Sequence, residues 1–197
     1  MSDTYKKEMQ KRQAEQRAKV QRASDPDRGL LLVHTGHGKG KSTSAFGVIV
    51  RALGWKKTVA VVQFIKGSWR TGERAFFEKT DGITWHTMGE GFTWDTQDRE
   101  RDTVVAKAAF SQAGGYLKSG EYDLVVLDEI NIAIRQGYLD TPDVLTTLEA
   151  RANKTSVILT GRDAKVEICE AADLVTEMTE IKHPYAAGIK AQRGIDY

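Results

Sequence analysis

Four short stretches of the chain are apolar at nearly every position, and helix-forming segments lie between them. They are Leu30-Leu31-Leu32-Val33, Thr58-Val59-Ala60-Val61-Val62-Gln63-Phe64-Ile65, Leu124-Val125-Val126-Leu127 and Val157-Ile158-Leu159. Such runs mark parallel strands covered on both faces by helices, since a strand with one wet face alternates instead. They predict strands over about 30–35, 58–65, 123–128 and 156–160, joined by two more over about 83–87 and 173–179. The segments between predict helices over about 41–53, 73–79, 96–118, 130–136, 142–151 and 164–171. Gly54 reads as the C-terminal cap of the first. Asp95 reads as the N-cap of the long one, with Asp98 in its first turn. Gly114-Gly115 weakens that helix near its end, and Pro142 stands at a first helical position, where it is tolerated. The tail, 181–197, reads as irregular. The alternation predicts an α/β fold, a doubly wound and mainly parallel sheet of about six strands.

The N-terminal segment has a different pattern. Residues 4–23 are rich in Lys, Gln, Arg, Glu and Ala, all good helix formers. Their apolar stripe is thin, little more than Tyr5, Met9 and Val20, so the helix docks loosely or only around a ligand. Asp25-Pro26-Asp27-Arg28-Gly29 is a turn, which divides the chain into a charged segment, 1–28, and a core domain, 29–197. Residues 1–28 carry eight Lys/Arg against five Asp/Glu, and the remainder 21 against 22, within a net charge of +2. So small and mixed an excess fits a solvated helix better than a nucleic-acid-binding arm. No apolar run approaches the roughly 20 residues that span a bilayer, and the N-terminus lacks a signal-peptide core. The single cysteine, Cys169, cannot form an internal disulfide. These features together predict a cytoplasmic protein.

Candidate chemistry enters at the end of the first strand. Thr35-Gly36-His37-Gly38-Lys39-Gly40-Lys41-Ser42-Thr43 lies between that strand and a helix, the context in which a glycine loop cradles phosphate. Glycines let backbone N–H groups turn inward, and the helix N-terminus adds partial positive charge. Lys41 supplies a full charge at the outer phosphates, and the Ser42 hydroxyl suits a bound Mg²⁺. The first glycine comes one residue late, at Gly36 in place of Thr35. A second signal follows in Leu124-Val125-Val126-Leu127-Asp128-Glu129, an apolar strand ending in carboxylates that can reach the magnesium. Consecutive strand residues point to opposite faces, so Asp128 and Glu129 are expected to differ in role. Together these make the fold P-loop NTPase-like (RecA-like), with ATP as the expected nucleotide. Phe92 and Trp94 stand two apart in a glycine-flanked loop, so an extended chain turns both the same way. They fit either a flat apolar ligand or a cap on the core.

Several stretches together resemble the P-loop type of ATP:corrinoid adenosyltransferase. They are Gly36 to Thr43, Val62-Gln63-Phe64-Ile65-Lys66-Gly67, Gly91-Phe92-Thr93-Trp94, Leu127-Asp128-Glu129, Thr160-Gly161-Arg162 and Lys190-Ala191-Gln192-Arg193-Gly194-Ile195-Asp196-Tyr197. The late-starting glycine loop is normal for that family. His37 stands where the family usually has Asn, and Ser42 where it usually has Thr. The resemblance implies transfer of the 5′-deoxyadenosyl group of ATP to Co(I) of a reduced corrinoid, cobalamin or a precursor, with release of tripolyphosphate. It implies ATP binding by Gly36, His37, Gly38, Lys39, Gly40, Lys41, Ser42 and Thr43, and Mg²⁺ held by Ser42 with Glu129 and Asp128. It gives catalytic roles to Lys41, Phe92 and Trp94, the aromatic pair on the lower corrinoid face, and makes the N-terminal helix a cover for the corrinoid. A flavoprotein-like reductase and a homodimer are implied as partners, with no nucleic acid and no membrane. Two rivals remain: a RecA-like P-loop ATPase acting on nucleic acid, and a nucleotide-dependent binding module without turnover.

Overall fold

The computed structural model describes residues 3–24, 26–64, 71–87 and 98–197. Helix α1 (Asp3–Arg22) comes first, followed by strand β1 (Leu31–Thr35), helix α2 (Lys41–Gly54) and strand β2 (Val59–Gln63). Next come α3 (Gly72–Phe77), β3 (Ile83–Thr87), α4 (Arg99–Ser119) and β4 (Leu124–Asp128). The chain closes with α5 (Ile130–Arg135), α6 (Thr141–Glu149), β5 (Ser156–Thr160), α7 (Val166–Ala171) and β6 (Leu174–Glu177). Pro184–Ala187 forms one 3₁₀ turn in the otherwise irregular tail.

The six strands make one sheet in the order β3-β2-β4-β5-β1-β6, and every pairing is parallel. The predicted doubly wound architecture is therefore the observed one. Alternate residues of each central strand enter opposite layers. Val59 and Val61 pack with Ala45, Phe46 and Ile49 of α2 and Phe77 of α3. Ala60 and Val62 face the other way, among Ala106, Ala109, Ala113 and Leu117 of α4 and Val144 and Leu148 of α6. Strands β2 and β4 are buried along their whole length, which is why their sequences show no alternation. At the sheet edge, all four residues of β6 are exposed.

The long helix ends where predicted but starts later. It starts at Arg99, and the cap is Asp98, whose side chain accepts the Arg101 N–H at 3.0 Å. Asp95, the predicted cap, lies outside the described residues. The helix runs through the diglycine to Ser119 and closes at Gly120, in the left-handed conformation at φ 72°. A Cβ on Gly114 would meet the Thr147 methyl at 3.5 Å, so this glycine lies where α4 and α6 approach closely.

Arg28 ties the linker to the far edge of the sheet. Its guanidinium forks onto Asp173 at 2.8 and 2.5 Å, and the Leu31 N–H donates to the same carboxylate at 2.8 Å. The Arg28 hydrogen bond first, and the Leu31 N–H second, pull the Asp173 pKa down to about 2. A carboxylate depressed on folding stabilises the protein fully above its unfolded pKa of about 3.9 and loses that contribution as pH falls through its folded pKa. Asp173→Asn should therefore cost on the order of 1 kcal/mol near neutrality, once solvent screening is counted. The same variant should show a weaker loss of stability between pH 4 and pH 2 than the parent, read by chemical denaturation at each pH. Parallel curves over that window would remove the ion pair from the balance.

Candidate functional site

Three strands deliver chemistry to one edge, the carboxyl end of the sheet, where ligands of such folds bind. Strand β1 runs into the glycine loop, β4 ends at Asp128 and Glu129, and β5 ends at Thr160-Gly161-Arg162. A cleft of 420 Å³ opens there, lined by Gly38 to Thr43, Glu73, Glu129, Ile132, Arg135, Gln136, Arg162 and Asp196. That volume lies within the roughly 300–1,000 Å³ of small-molecule sites.

The loop owes its shape to the chain just beyond β6. Gly38 N–H donates to Met178 O at 2.7 Å, and Met178 N–H donates to Thr35 O at 2.9 Å. Gly36 has φ +92°, and a Cβ there would lie 2.5 Å from Met178 O; one on Gly38 would lie 2.8 Å from Thr179 O. Only glycine fits at either position. Lys41 is buried, and its ammonium donates to Gly36 O at 2.8 Å and Gly38 O at 2.6 Å. Burial pushes its pKa down, while the Glu129 charge raises it and the Arg162 charge lowers it. Below the loop, the His34 ring lies against Lys41 O, Nδ1 to oxygen 3.4 Å, and burial lowers its pKa, favouring the neutral ring. Lys39 reaches across the mouth of the cleft to pair with Asp196 of the tail.

The two carboxylates of β4 have different surroundings. Asp128 is fully buried; its oxygens accept from Gln63 Nε2 at 2.9 Å and Thr160 Oγ1 at 2.8 Å. Glu129 takes the left-handed conformation, φ 64° and ψ 18°, at a cost of about 1–2 kcal/mol for an L-residue. Its N–H donates to Thr160 Oγ1 at 2.9 Å. That turn redirects the chain from β4 into α5 and leaves Glu129, not Asp128, on the cleft wall.

Of the predicted site residues, the cleft gathers Gly38, Lys39, Gly40, Lys41, Ser42, Thr43 and Glu129. Gly36 shapes the loop from behind. His37 is drawn aside, with Nε2 3.2 Å from Asp163 Oδ1, and does not line the cleft. Phe92 and Trp94 lie outside the described residues. Sequence reading missed Arg135, Asp163 and the role of Asp196. Arg135 Nη1 donates to Asp163 at 2.5 Å. A cation one helix after the carboxylate strand was the available signal for it.

Residues 27–197 match the family described as ATP:corrinoid adenosyltransferase BtuR/CobO/CobP. The chain belongs to this family. A corrinoid adenosyltransferase of Pseudomonas aeruginosa PAO1 is 50% identical over 194 residues, covering 98% of this chain and 95% of that one. The corrinoid adenosyltransferase of Escherichia coli K12 is 44% identical, and each chain is covered in full. The corrinoid adenosyltransferase CobA of Salmonella typhimurium LT2 is 43% identical over 198 residues. The family match thus takes in every strand of the sheet and every wall of the cleft, and the two full-length relatives extend it over α1.

Proposed function

We propose that the chain transfers the 5′-deoxyadenosyl group of ATP to Co(I) of a reduced corrinoid and releases tripolyphosphate. The supporting observation is that Lys41, Ser42 and Glu129 share one cleft at the N-terminus of α2, in a chain of the adenosyltransferase family. The electron pair of Co(I) forms the bond to C5′, and the C5′–O pair leaves with the tripolyphosphate oxygen. The substrate is its own nucleophile, so the protein's part is positioning and charge. Loop N–H groups, the positive end of α2 and Lys41 stabilise the negative charge that develops on the leaving group.

Ser42 and Glu129 offer a hydroxyl and a carboxylate to one cleft, hard oxygen donors that suit Mg²⁺. Among the described residues no group of three or more His, Cys, Asp or Glu gathers to hold a metal alone. Bound there, magnesium would neutralise triphosphate charge. Asp128 acts behind the cleft wall, holding Thr160 and through it the Glu129 turn. Glu129→Gln should raise the Mg²⁺ concentration for half-maximal rate roughly tenfold, while Asp128→Asn shifts it less and lowers stability more. An unchanged magnesium dependence in both variants removes this assignment.

Helix α1 is the proposed corrinoid cover. Its apolar residues Tyr5 and Val20 are 66% and 63% exposed, so it buries little of its own surface. Deleting residues 1–22 should leave the melting temperature of the core within about 2 °C and weaken cobalamin binding in a titration. A large fall in melting temperature would show a packing role instead. A homodimer, a flavoprotein-like reductase and a cytoplasmic setting complete the proposal. Sedimentation at the monomer mass, failure of every reduced flavoprotein to drive the reaction from cob(II)alamin, or recovery in a membrane fraction would each remove one of them.

The deciding experiment combines ATP, Mg²⁺ and chemically reduced cobalamin, followed by absorbance and phosphate analysis. Adenosylcobalamin with tripolyphosphate in equal amounts is expected. Orthophosphate release stimulated by DNA would point to a nucleic-acid ATPase, and ATP binding without turnover to a binding module.

A further inference from the structure

The cleft presents four basic side chains, and three of them are engaged. Lys41 holds the carbonyls of Gly36 and Gly38, Lys39 pairs with Asp196, and Arg135 pairs with Asp163. Arg162 lines the same cleft. It is exposed, and no hydrogen bond or ion pair joins it to another described residue. Its charge is felt at Lys41, where it adds to burial in lowering that pKa. The Glu129 charge outweighs that effect at Lys41, and an anion bound between Lys41 and Arg162 would relieve their mutual repulsion further.

The backbone around Arg162 is held in an unusual form on both sides. Gly161 has φ +129°, and a Cβ there would lie 3.0 Å from the Asn131 Cβ. Asp163 has φ 55°, left-handed for a residue with a side chain. Strain of this kind persists where neighbours enforce it, and the Asp163 carboxylate shows which neighbours do. One oxygen faces His37 Nε2 at 3.2 Å and the other accepts from Arg135 Nη1 at 2.5 Å. One partner belongs to the phosphate loop and the other to α5, which form two walls of the cleft. The segment carrying Arg162 is thereby clamped to both. An arginine offers a planar fork that meets two phosphate oxygens at once, which a lysine cannot do.

We infer that Arg162 is a second phosphate-binding cation of this cleft, engaging the triphosphate opposite Lys41, and that Asp163 is the positioning residue that aims it. The inference deepens the adenosyl-transfer reading by adding a residue that grips the leaving group, and it rests on that reading only for the identity of the product.

The probe is inorganic tripolyphosphate with Mg²⁺, titrated calorimetrically into the full chain. The parent should bind it. Arg162→Ala should weaken binding roughly 10- to 100-fold, with an unchanged melting temperature because the side chain is exposed. Arg162→Lys should recover only part of the loss. Asp163→Asn should weaken binding by a smaller factor, and the Arg162→Ala/Asp163→Asn double variant should bind no worse than Arg162→Ala alone. Additive losses in the double variant would overturn the positioning role, since a merely structural Asp163 would act independently of Arg162. Unchanged binding by Arg162→Ala, or no binding by the parent, would overturn the inference. Adenosylcobalamin formation is measured in parallel. A parent that binds tripolyphosphate through Arg162 without making adenosylcobalamin refutes adenosyl transfer and leaves this phosphate contact standing.

Discussion

Lys41→Ala should lower the rate of adenosyl transfer by roughly 100- to 1,000-fold, the loss expected when one donor to a developing oxyanion is removed. The melting temperature should move little. Lys41 is buried, burial pushes its pKa down, and its hydrogen bonds end on loop carbonyls, not on an acidic partner. A buried ammonium so placed contributes little to stability, because its desolvation offsets what two neutral acceptors return. Those carbonyls hold it at the floor of the loop, and a phosphate oxygen of bound ATP is expected to replace them. The alanine variant keeps the glycine turn, since Gly38 is still bonded to Met178. Single-turnover rates with pre-formed cob(I)alamin isolate the chemical step. Near-parent rates there would take the phosphate loop out of the mechanism.

The second large effect separates the halves of the reaction. Phe92→Ala and Trp94→Ala should each slow the reaction that starts from cob(II)alamin by roughly 30-fold more than the one that starts from cob(I)alamin. The size follows from about 2 kcal/mol of apolar burial per aromatic side chain. A lower axial ligand donates electron density to cobalt and makes Co(II) harder to reduce. Two large apolar groups on one side of a loop can fill that face and exclude the ligand and water. Co(I) carries no axial ligand, so it should still attack ATP on an intact phosphate loop when either aromatic is missing. Equal losses under both starting conditions would reduce the pair to pocket shape, and a loss of ATP binding would assign them to the core.

The central sheet was legible because burial on both faces leaves a plain mark. Strands β2 and β4 are apolar throughout and buried throughout. The phosphate loop was legible because a strand, glycines, Lys41 and a helix must occur together in sequence to work. What could not be read depends on residues far apart in the chain. Nothing local to Gly38 says that its N–H meets Met178, and nothing local to Lys39 says that its partner is Asp196, 157 positions away. The long-helix cap went to Asp98 instead of Asp95 because an acidic residue three positions off satisfies the same local rule. Spacing alone gives two adjacent carboxylates no sign of which faces the cleft. The left-handed turn at Glu129 decides it, and only glycine advertises such a turn in sequence. Arg162 sat in a motif without a role because its meaning lies in what its neighbours already hold.

The phosphate loop hangs from the least buried strand in the sheet. Gly38 is bonded to the chain just beyond β6, and β6 is exposed at all four positions on the sheet edge. Edge segments with few buried contacts open locally at free energies well below that of global unfolding. Losing activity and losing the fold are then separate events in the life of this molecule. Mild heat would first let the last strand fray and the glycine turn relax, while the β2–β4–β5 centre stays intact. Activity should therefore fall below the unfolding transition and return on cooling, and activity and far-UV circular dichroism that fall together on heating would exclude such a weak edge.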